Sequence, residues 1–193
     1  MLTIILAGGQ SRRMGRDKAL LEVDGKPMAL VLAQRYLSLG PVALSVDRPG
    51  RFVHGVYPEY IDRYPGKGPL NGLYSAFCDS SEELVFLTAT DMPNGAPDVV
   101  FRMRELMGEH DACVIEHENG RVEPLFGLYR RTCLSAVKDC LERDELSFRA
   151  LFSRVRVRRV DKAELSPWDI QKMLMNLNTP EDFLDFQAAK QGG

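Results

Sequence analysis

The first eighteen residues, MLTIILAGGQSRRMGRDK, constrain the fold more than any other stretch. A short apolar run, Leu2 to Leu6, breaks at Ala7-Gly8-Gly9 and gives way to a polar segment carrying Arg12, Arg13, Arg16 and Lys18. This reads as a buried strand that ends in a backbone-exposing turn. Glycine lets a ligand lie directly on backbone amides. The neighbouring cations suit a polyphosphate, because Arg forks onto phosphate oxygens and Lys supplies a mobile point charge. The spacing fits neither the G-x-x-x-x-G-K-[ST] phosphate loop nor the G-x-G-x-x-G dinucleotide fingerprint. Glycines beside basic residues also occur in ordinary solvated loops. The whole run, placed directly after a strand, is what favours a phosphate site.

Further along, strand and helix patterns alternate. Met28, Val31, Leu32, Tyr36 and Leu39 recur at helical spacing, predicting a helix from about Met28 to Ser38 that Gly40-Pro41 ends. Val42 to Val46 is a short strand, and Val53 to Tyr57 a weaker one. This alternation predicts a parallel sheet with right-handed crossovers. Gly66-Lys67-Gly68-Pro69 demands a rigid loop, after which Leu70, Leu73, Ala76 and Phe77 start a helix whose free amides face the mouth of the sheet. The same Pro and Gly residues could also do no more than shape a tight crossover. Leu84 to Ala89 is the strongest buried-strand signal, and it runs into Thr90-Asp91-Met92-Pro93. An Asp at the carboxyl end of a central parallel strand can be a helix cap, or it can hold Mg²⁺ against substrate phosphates. Beside a phosphate-type loop the metal role is the stronger reading.

A helix is expected over Pro97 to Met107 and a strand over Asp111 to Glu116. The extended segment Glu123 to Tyr129 follows, demoted from a central parallel position by Pro124. The turn His117 to Arg121 is either a lid or an ordinary loop. Cys133 to Leu141 and Ser147 to Phe152 are expected to be helical. The run Arg154 to Val160 alternates cation and valine like an edge strand, its Arg side solvated or facing an anion. Thr179 and Pro180 open a last helix. One domain over 1–186 and a polar tail over 187–193 are expected.

The run Leu6-Ala7-Gly8-Gly9-x-Ser11-x-Arg13-Met14-Gly15-x-Asp17-Lys18 resembles the loop of the molybdenum cofactor guanylyltransferases, within the nucleotidyltransferases that include sugar-nucleotide pyrophosphorylases. Gly68-Pro69-Leu70-x-Gly72, the strand ending at Asp91, and Asn176-x-Asn178-Thr179-Pro180-Glu181 extend the resemblance over most of the chain. It implies a Rossmann-like three-layer αβα sandwich of the nucleotide-diphospho-sugar transferase type, mostly parallel with one antiparallel strand. It also implies GMP transfer from GTP to the terminal phosphate of molybdenum-bearing molybdopterin, with Mg²⁺ on Asp91. Arg13, Lys18 and Asp91 would be catalytic. Leu6, Ala7, Gly8, Gly9, Lys18, Ser45, Asp62, Gly68, Pro69, Leu70 and Asp91 would bind the nucleotide. Asn176 and Asn178 would face the acceptor. Asp62 is the candidate to accept the two adjacent guanine N–H donors. Where the family often carries an Asn near the end of its second strand, this chain reads Leu44-Ser45-Val46-Asp47, with Ser45 the candidate replacement.

The net charge of −2 argues against a nucleic-acid partner bound by bulk electrostatics. No segment approaches the roughly twenty apolar residues of a membrane helix. The opening apolar run is too short for a signal peptide, and Cys78, Cys113, Cys133 and Cys140 lack metal-ligand spacing, so the cytoplasm is the expected compartment. Transient contact with proteins that deliver or accept the cofactor would follow from the acceptor. Two alternatives stand beside this reading: a nucleotidyltransferase acting on a sugar phosphate or other small phosphate, and a non-catalytic GTP-binding module.

Overall fold

The computed structural model describes residues 1–8, 17–52 and 56–191. Its strands are β1 (Leu2–Leu6), a hairpin of β2 (Glu22–Val23) and β3 (Lys26–Pro27), β4 (Val42–Val46), β5 (Glu59–Ile61), β6 (Leu84–Ala89), β7 (Ala112–Glu116), β8 (Val122–Arg130) and β9 (Val157–Val160). The helices are α1 (Met28–Arg35), α2 (Pro69–Asp79), α3 (Pro97–Leu106), α4 (Leu134–Glu142), α5 (Phe148–Phe152), α6 (Ile170–Met173) and α7 (Pro180–Gln191). Seven strands form one sheet in the order β5-β4-β1-β6-β8-β7-β9. All neighbours pair in parallel except β8, which is antiparallel to both β6 and β7.

The central strands are apolar along their whole length because both faces are covered. Leu2 and Ile4 of β1, and Val85 and Leu87 of β6, pack with Leu70, Leu73 and Phe77 of α2 and with Val137 and Leu141 of α4. Ile5 and Phe86 face the other way, against Leu32 of α1 and against Val99, Val100 and Met103 of α3, and Ala89 at the end of β6 packs with the same cluster. The result is a mostly parallel αβα sandwich with one antiparallel strand, as the sequence implies.

As expected of a segment carrying Pro124, β8 takes no central parallel position: it runs antiparallel to both neighbours. The strand lies inside the sheet, and its pairing with β7 jumps from Val114↔Gly127 to Ile115↔Glu123. Pro124, which has no N–H to donate, falls in that irregularity, and its carbonyl accepts from Tyr129 Oη at 2.7 Å. The weak strand expected over Val53 to Tyr57 is corrected to Glu59–Ile61. Residues 53–55 lie outside the described set, and Val56 and Tyr57 form a bend. Pairing begins only at Pro58, whose carbonyl accepts from Leu44 N at 2.9 Å. The helix expected to reach Ser38 is α-helical to Arg35 and then tightens into a 3₁₀ turn over Tyr36–Leu39. The last helix continues through Gln191, past the start of the expected tail.

The arginines around β9 are ion-paired. Arg154 meets Asp139 and Glu145, Arg156 meets Asp111, Arg158 meets Glu164, and Arg159 meets Glu116. The stripe is therefore edge-strand chemistry with its charge largely neutralised. Asp111 anchors it, accepting from Thr132 Oγ1 at 2.8 Å, Arg156 N at 2.9 Å and Arg156 Nε at 3.2 Å. The Arg156 guanidinium lowers the Asp111 carboxyl to about 2. A depressed carboxyl stabilises the fold above its unfolded value of about 3.9 and loses that contribution as pH falls toward the folded value. Asp111→Asn is expected to lower the unfolding free energy at pH 7 by about 1 kcal/mol, allowing for solvent screening. In urea titrations the deficit should narrow between about pH 4 and pH 2; a deficit independent of pH would contradict the ion-pair origin.

Candidate active site

β1 pairs with β4 on one side and β6 on the other, so three parallel strands end on one edge of the sheet. Ligands in open α/β sheets bind at that edge. A cavity of about 460 Å³ opens there, lined by Leu6, Gly8, Ser45, Asp47, Asp62, Gly66, Gly68 and Pro69. Six of the eight residues are nucleotide-binding candidates from the sequence; Asp47 and Gly66 are additions.

Glycine fits tight packing at two points of the wall. A Cβ on Gly8 would lie 3.1 Å from Asp47 N, a closer approach than side chains usually make, so glycine eases the meeting of the ends of β1 and β4. A Cβ on Gly72, one turn into α2, would lie 2.4 Å from Leu6 Cδ2 and 2.8 Å from Ser45 Oγ. The helix therefore sits directly behind both cavity residues. Two buried polar side chains of α2 fix the loop before it: Asn71 Oδ1 accepts from Tyr64 N at 2.9 Å, and Ser75 Oγ from Arg63 N at 3.1 Å. Asp62 is held by its own amide to Val46 O at 2.9 Å, and its carboxylate accepts from Ser45 Oγ at 3.1 Å. Burial pushes the Asp62 carboxyl up, the Ser45 hydrogen bond opposes this, and Asp47 adds to it.

A second group forms around Asp91. Lys18 Nζ lies 3.9 Å from Asp91 Oδ2 and 3.4 Å from Asn178 Oδ1. Lys18 starts a 3₁₀ turn that Asp17 caps, its Oδ1 accepting from Ala19 N at 3.1 Å. The backbone of Asp91 receives Leu177 N at 2.8 Å, drawing the Asn-Leu-Asn-Thr segment against the end of β6. Asp182 Oδ2 accepts from Asn178 N at 2.7 Å and Thr179 N at 2.8 Å, while Thr179 Oγ1 accepts from Asp182 N at 3.1 Å. That reciprocal cap sets the direction in which Asn178 leaves α7. Burial pushes the Asp91 carboxyl up and Lys18 pulls it down.

Asp91 Oδ1 is buried and has no hydrogen-bond partner among the described residues. A hard, desolvated oxygen with a lone pair to spare fits a divalent cation. Among the described residues no cluster of three or more His, Cys, Asp or Glu could cage a metal. An ion here would complete its shell with ligand phosphates and water, as Mg²⁺ commonly does.

Not every sequence candidate reaches the surface of the site. Leu70 is fully buried in the core beneath α2, and Ala7 is buried with its amide bonded to Ser45 O at 2.9 Å. Asn176 is half-buried, with no hydrogen bond to Lys18 or Asp91 among the described residues. Gly9 and Arg13, with Arg12 and Arg16, lie outside the described residues. Sequence reasoning passed over Asp47, Arg51 and Glu123. Asp47 carries the same signal as Asp91, an acid at the end of a parallel strand. Glu123 is pushed up by burial and further by Asp91. The pairing Thr88↔Phe126 explains this, since it sets the start of β8 level with the turn after β6. Arg51 gives little signal in the sequence: its pairing with Asp47 is a short i,i+4 contact beyond the strand, and its second partner, Asp17, is 34 residues away.

Gly72→Ala is expected to displace Leu6 and Ser45 and to lower stability by about 1–3 kcal/mol, the usual range for overpacking. Denaturant unfolding measures it, and an unchanged midpoint would show that the helix does not back the cavity wall.

The MobA-like NTP transferase domain model matches residues 3–162. The probable molybdenum cofactor guanylyltransferase of Pelotomaculum thermopropionicum is 33% identical over 187 residues, spanning 94% of this chain and 89% of that protein. The protein of the same description from Carboxydothermus hydrogenoformans is 31% identical over 181 residues, spanning 93% of this chain and 91% of its own. In fold, the crystal structure of molybdopterin-guanine dinucleotide biosynthesis protein A from Archaeoglobus fulgidus superposes with a TM-score of 0.85 over 100% of both chains at 20% identity. The chain belongs to the MobA-like NTP transferase family, among its molybdenum cofactor guanylyltransferases.

Proposed function

We propose that this protein transfers GMP from GTP to the terminal phosphate of molybdenum-bearing molybdopterin. The observation that carries the proposal is the juxtaposition on one sheet edge of the cavity closed by Gly8, Ser45 and Asp62 with the group formed by Lys18, Asp91 and Asn178. The first has the shape and acceptor chemistry for a purine nucleoside. The second has the charge for phosphates and opens toward a second substrate.

Asp62 reads the base. Guanine presents N1–H and N2–H₂ side by side, and one carboxylate accepts both; charge-assisted bonds of this kind contribute about 1.5–3 kcal/mol each. Adenine offers no such donor pair. The Ser45 hydroxyl occupies one lone pair of Asp62 and fixes its plane. The amide edge near Gly8 and the Lys18 ammonium receive the triphosphate, joined by Gly9 and Arg13 from the intervening residues outside the described set. Asp91, whose buried Oδ1 has no partner among the described residues, would hold Mg²⁺, and the ion would neutralise phosphate charge.

An oxygen of the acceptor phosphate attacks the α-phosphorus of GTP. The bond from that phosphorus to the bridging oxygen of the β-phosphate breaks, and pyrophosphate leaves with the electron pair. No general base is required, because a phosphate monoester is already mostly ionised near neutral pH. The protein's part is alignment and charge neutralisation. Lys18 lies between Asp91 and Asn178, within reach of both. Asn178, with Asn176 beside it, orients the incoming acceptor. No helix among the described residues is long and apolar enough to cross a membrane.

Lys18→Ala and Asp91→Ala are each expected to lower turnover at least about tenfold, a loss of only about 1.4 kcal/mol of transition-state stabilisation. Pyrophosphate release from Mg-GTP and molybdenum-bearing molybdopterin measures it. Unchanged turnover in both folded variants would remove the catalytic assignment, and turnover on sugar phosphates alone would replace the acceptor. Asp62→Ala should reduce the ratio of kcat/KM for GTP over ATP at least about tenfold; an unchanged ratio would move base recognition elsewhere.

A further inference from the structure

The cavity assigned to GTP contains an electrostatic contradiction. Two carboxylates line it, Asp47 and Asp62, while its ligand is a polyanion. Asp62 has a donor-rich base to face. Asp47 sits beside Gly8, where a Cβ would touch its amide, at the phosphate end of the cavity. An uncompensated carboxylate there repels the triphosphate.

The compensation comes from Arg51, in the turn after β4. Its side chain is only 5% exposed, and its guanidinium forks, one amino group bonded to Asp47 and the other to Asp17. The turn that carries it is itself pinned: Glu59 of β5 accepts from Gly50 N at 2.6 Å and from Phe52 N at 2.7 Å, bracketing Arg51 on both sides. Asp17 directly precedes Lys18 and caps its turn. One buried guanidinium thus neutralises the acid in the cavity wall and ties the base of the Lys18 turn to the end of β4.

We propose that Arg51 is a positioning residue for nucleotide binding, which makes Asp47 tolerable beside the triphosphate and fastens Lys18 to the nucleotide half of the site. The inference rests on the assignment of this cavity to GTP. It explains how the chain keeps an acid at the phosphate end of the second strand, and it separates Arg51 from a merely structural arginine. If Arg51 acted only through packing, removing the charge of Asp47 would not repair its loss. If it acts by neutralising Asp47, the two substitutions offset one another.

The test is titration of Mg-GTP into wild type, R51Q and D47N/R51Q, with thermal melts confirming that each is folded. R51Q is expected to bind at least about tenfold more weakly, with a defect that shrinks at high ionic strength. D47N/R51Q is expected to recover part of the loss, binding at least about threefold more tightly than R51Q, with the remainder reflecting the lost tie to Asp17. R51K keeps the charge but cannot fork to both acids, so it should fall between R51Q and wild type. Should R51Q fail to fold, R51K against D47N/R51K makes the same comparison. Binding by R51Q within twofold of wild type would overturn the proposal, as would a folded double variant as weak as R51Q. A wild-type chain that binds no nucleoside triphosphate would overturn the assignment of the cavity as well, which sets the two failures apart.

Discussion

β1 is hydrogen-bonded along both edges, through Thr3↔Val42 to Leu6↔Ser45 on one side and Leu2↔Val85 to Leu6↔Ala89 on the other. Because all three strands run in the same direction, Gly8, Asp47 and Asp91 emerge together on one edge of the sheet. The cavity and the Lys18 group are consequences of that arrangement. The side chains of β1 are sorted by the pleat, Leu2 and Ile4 toward α2 and Ile5 toward α1, so a register slip would exchange both cores at once. The site is precise because the strands beneath it have one register.

The electrostatics of the edge follow from what that geometry brings together. Three acids, Asp47, Asp62 and Asp91, lie at strand ends or just beyond them, and each has a different partner. Asp47 is matched by Arg51, Asp62 by the Ser45 hydroxyl, and Asp91 by Lys18 on one oxygen and by nothing described on the other. These partners divide the labour, leaving Asp62 free to accept from a base and Asp91 to accept a cation. The basic stripe of β9, by contrast, is consumed by Asp111, Glu116 and Glu164 and offers little net charge to a ligand. Ion pairing, rather than the number of arginines, decides which cations remain for phosphate.

Much of this was legible in the sequence. Leu2–Leu6, Val42–Val46 and Leu84–Ala89 coincide with strands because runs buried on both faces carry an unbroken apolar signal. Gly68-Pro69 marks the start of α2, and Thr179-Pro180 that of α7, because caps are local chemistry. The weaker strand was misplaced, since a three-residue edge strand owes its position to Leu44 and Pro58 rather than to its own composition. Leu70 belongs to a motif that borders the cavity, yet its side chain faces inward from the first turn of α2 to the core. The link from Arg51 to Asp17 and the approach of Glu123 to Asp91 were illegible because each joins segments brought near only by the fold.

The central claim is that guanine, triphosphate and metal share this one edge in a fixed order. A crystal structure with Mg-GTP tests it most directly. The guanine edge is expected on Asp62, the phosphates between Gly8 and Lys18, and the metal on Asp91. A nucleotide bound away from Gly8, or a metal held without Asp91, would contradict it.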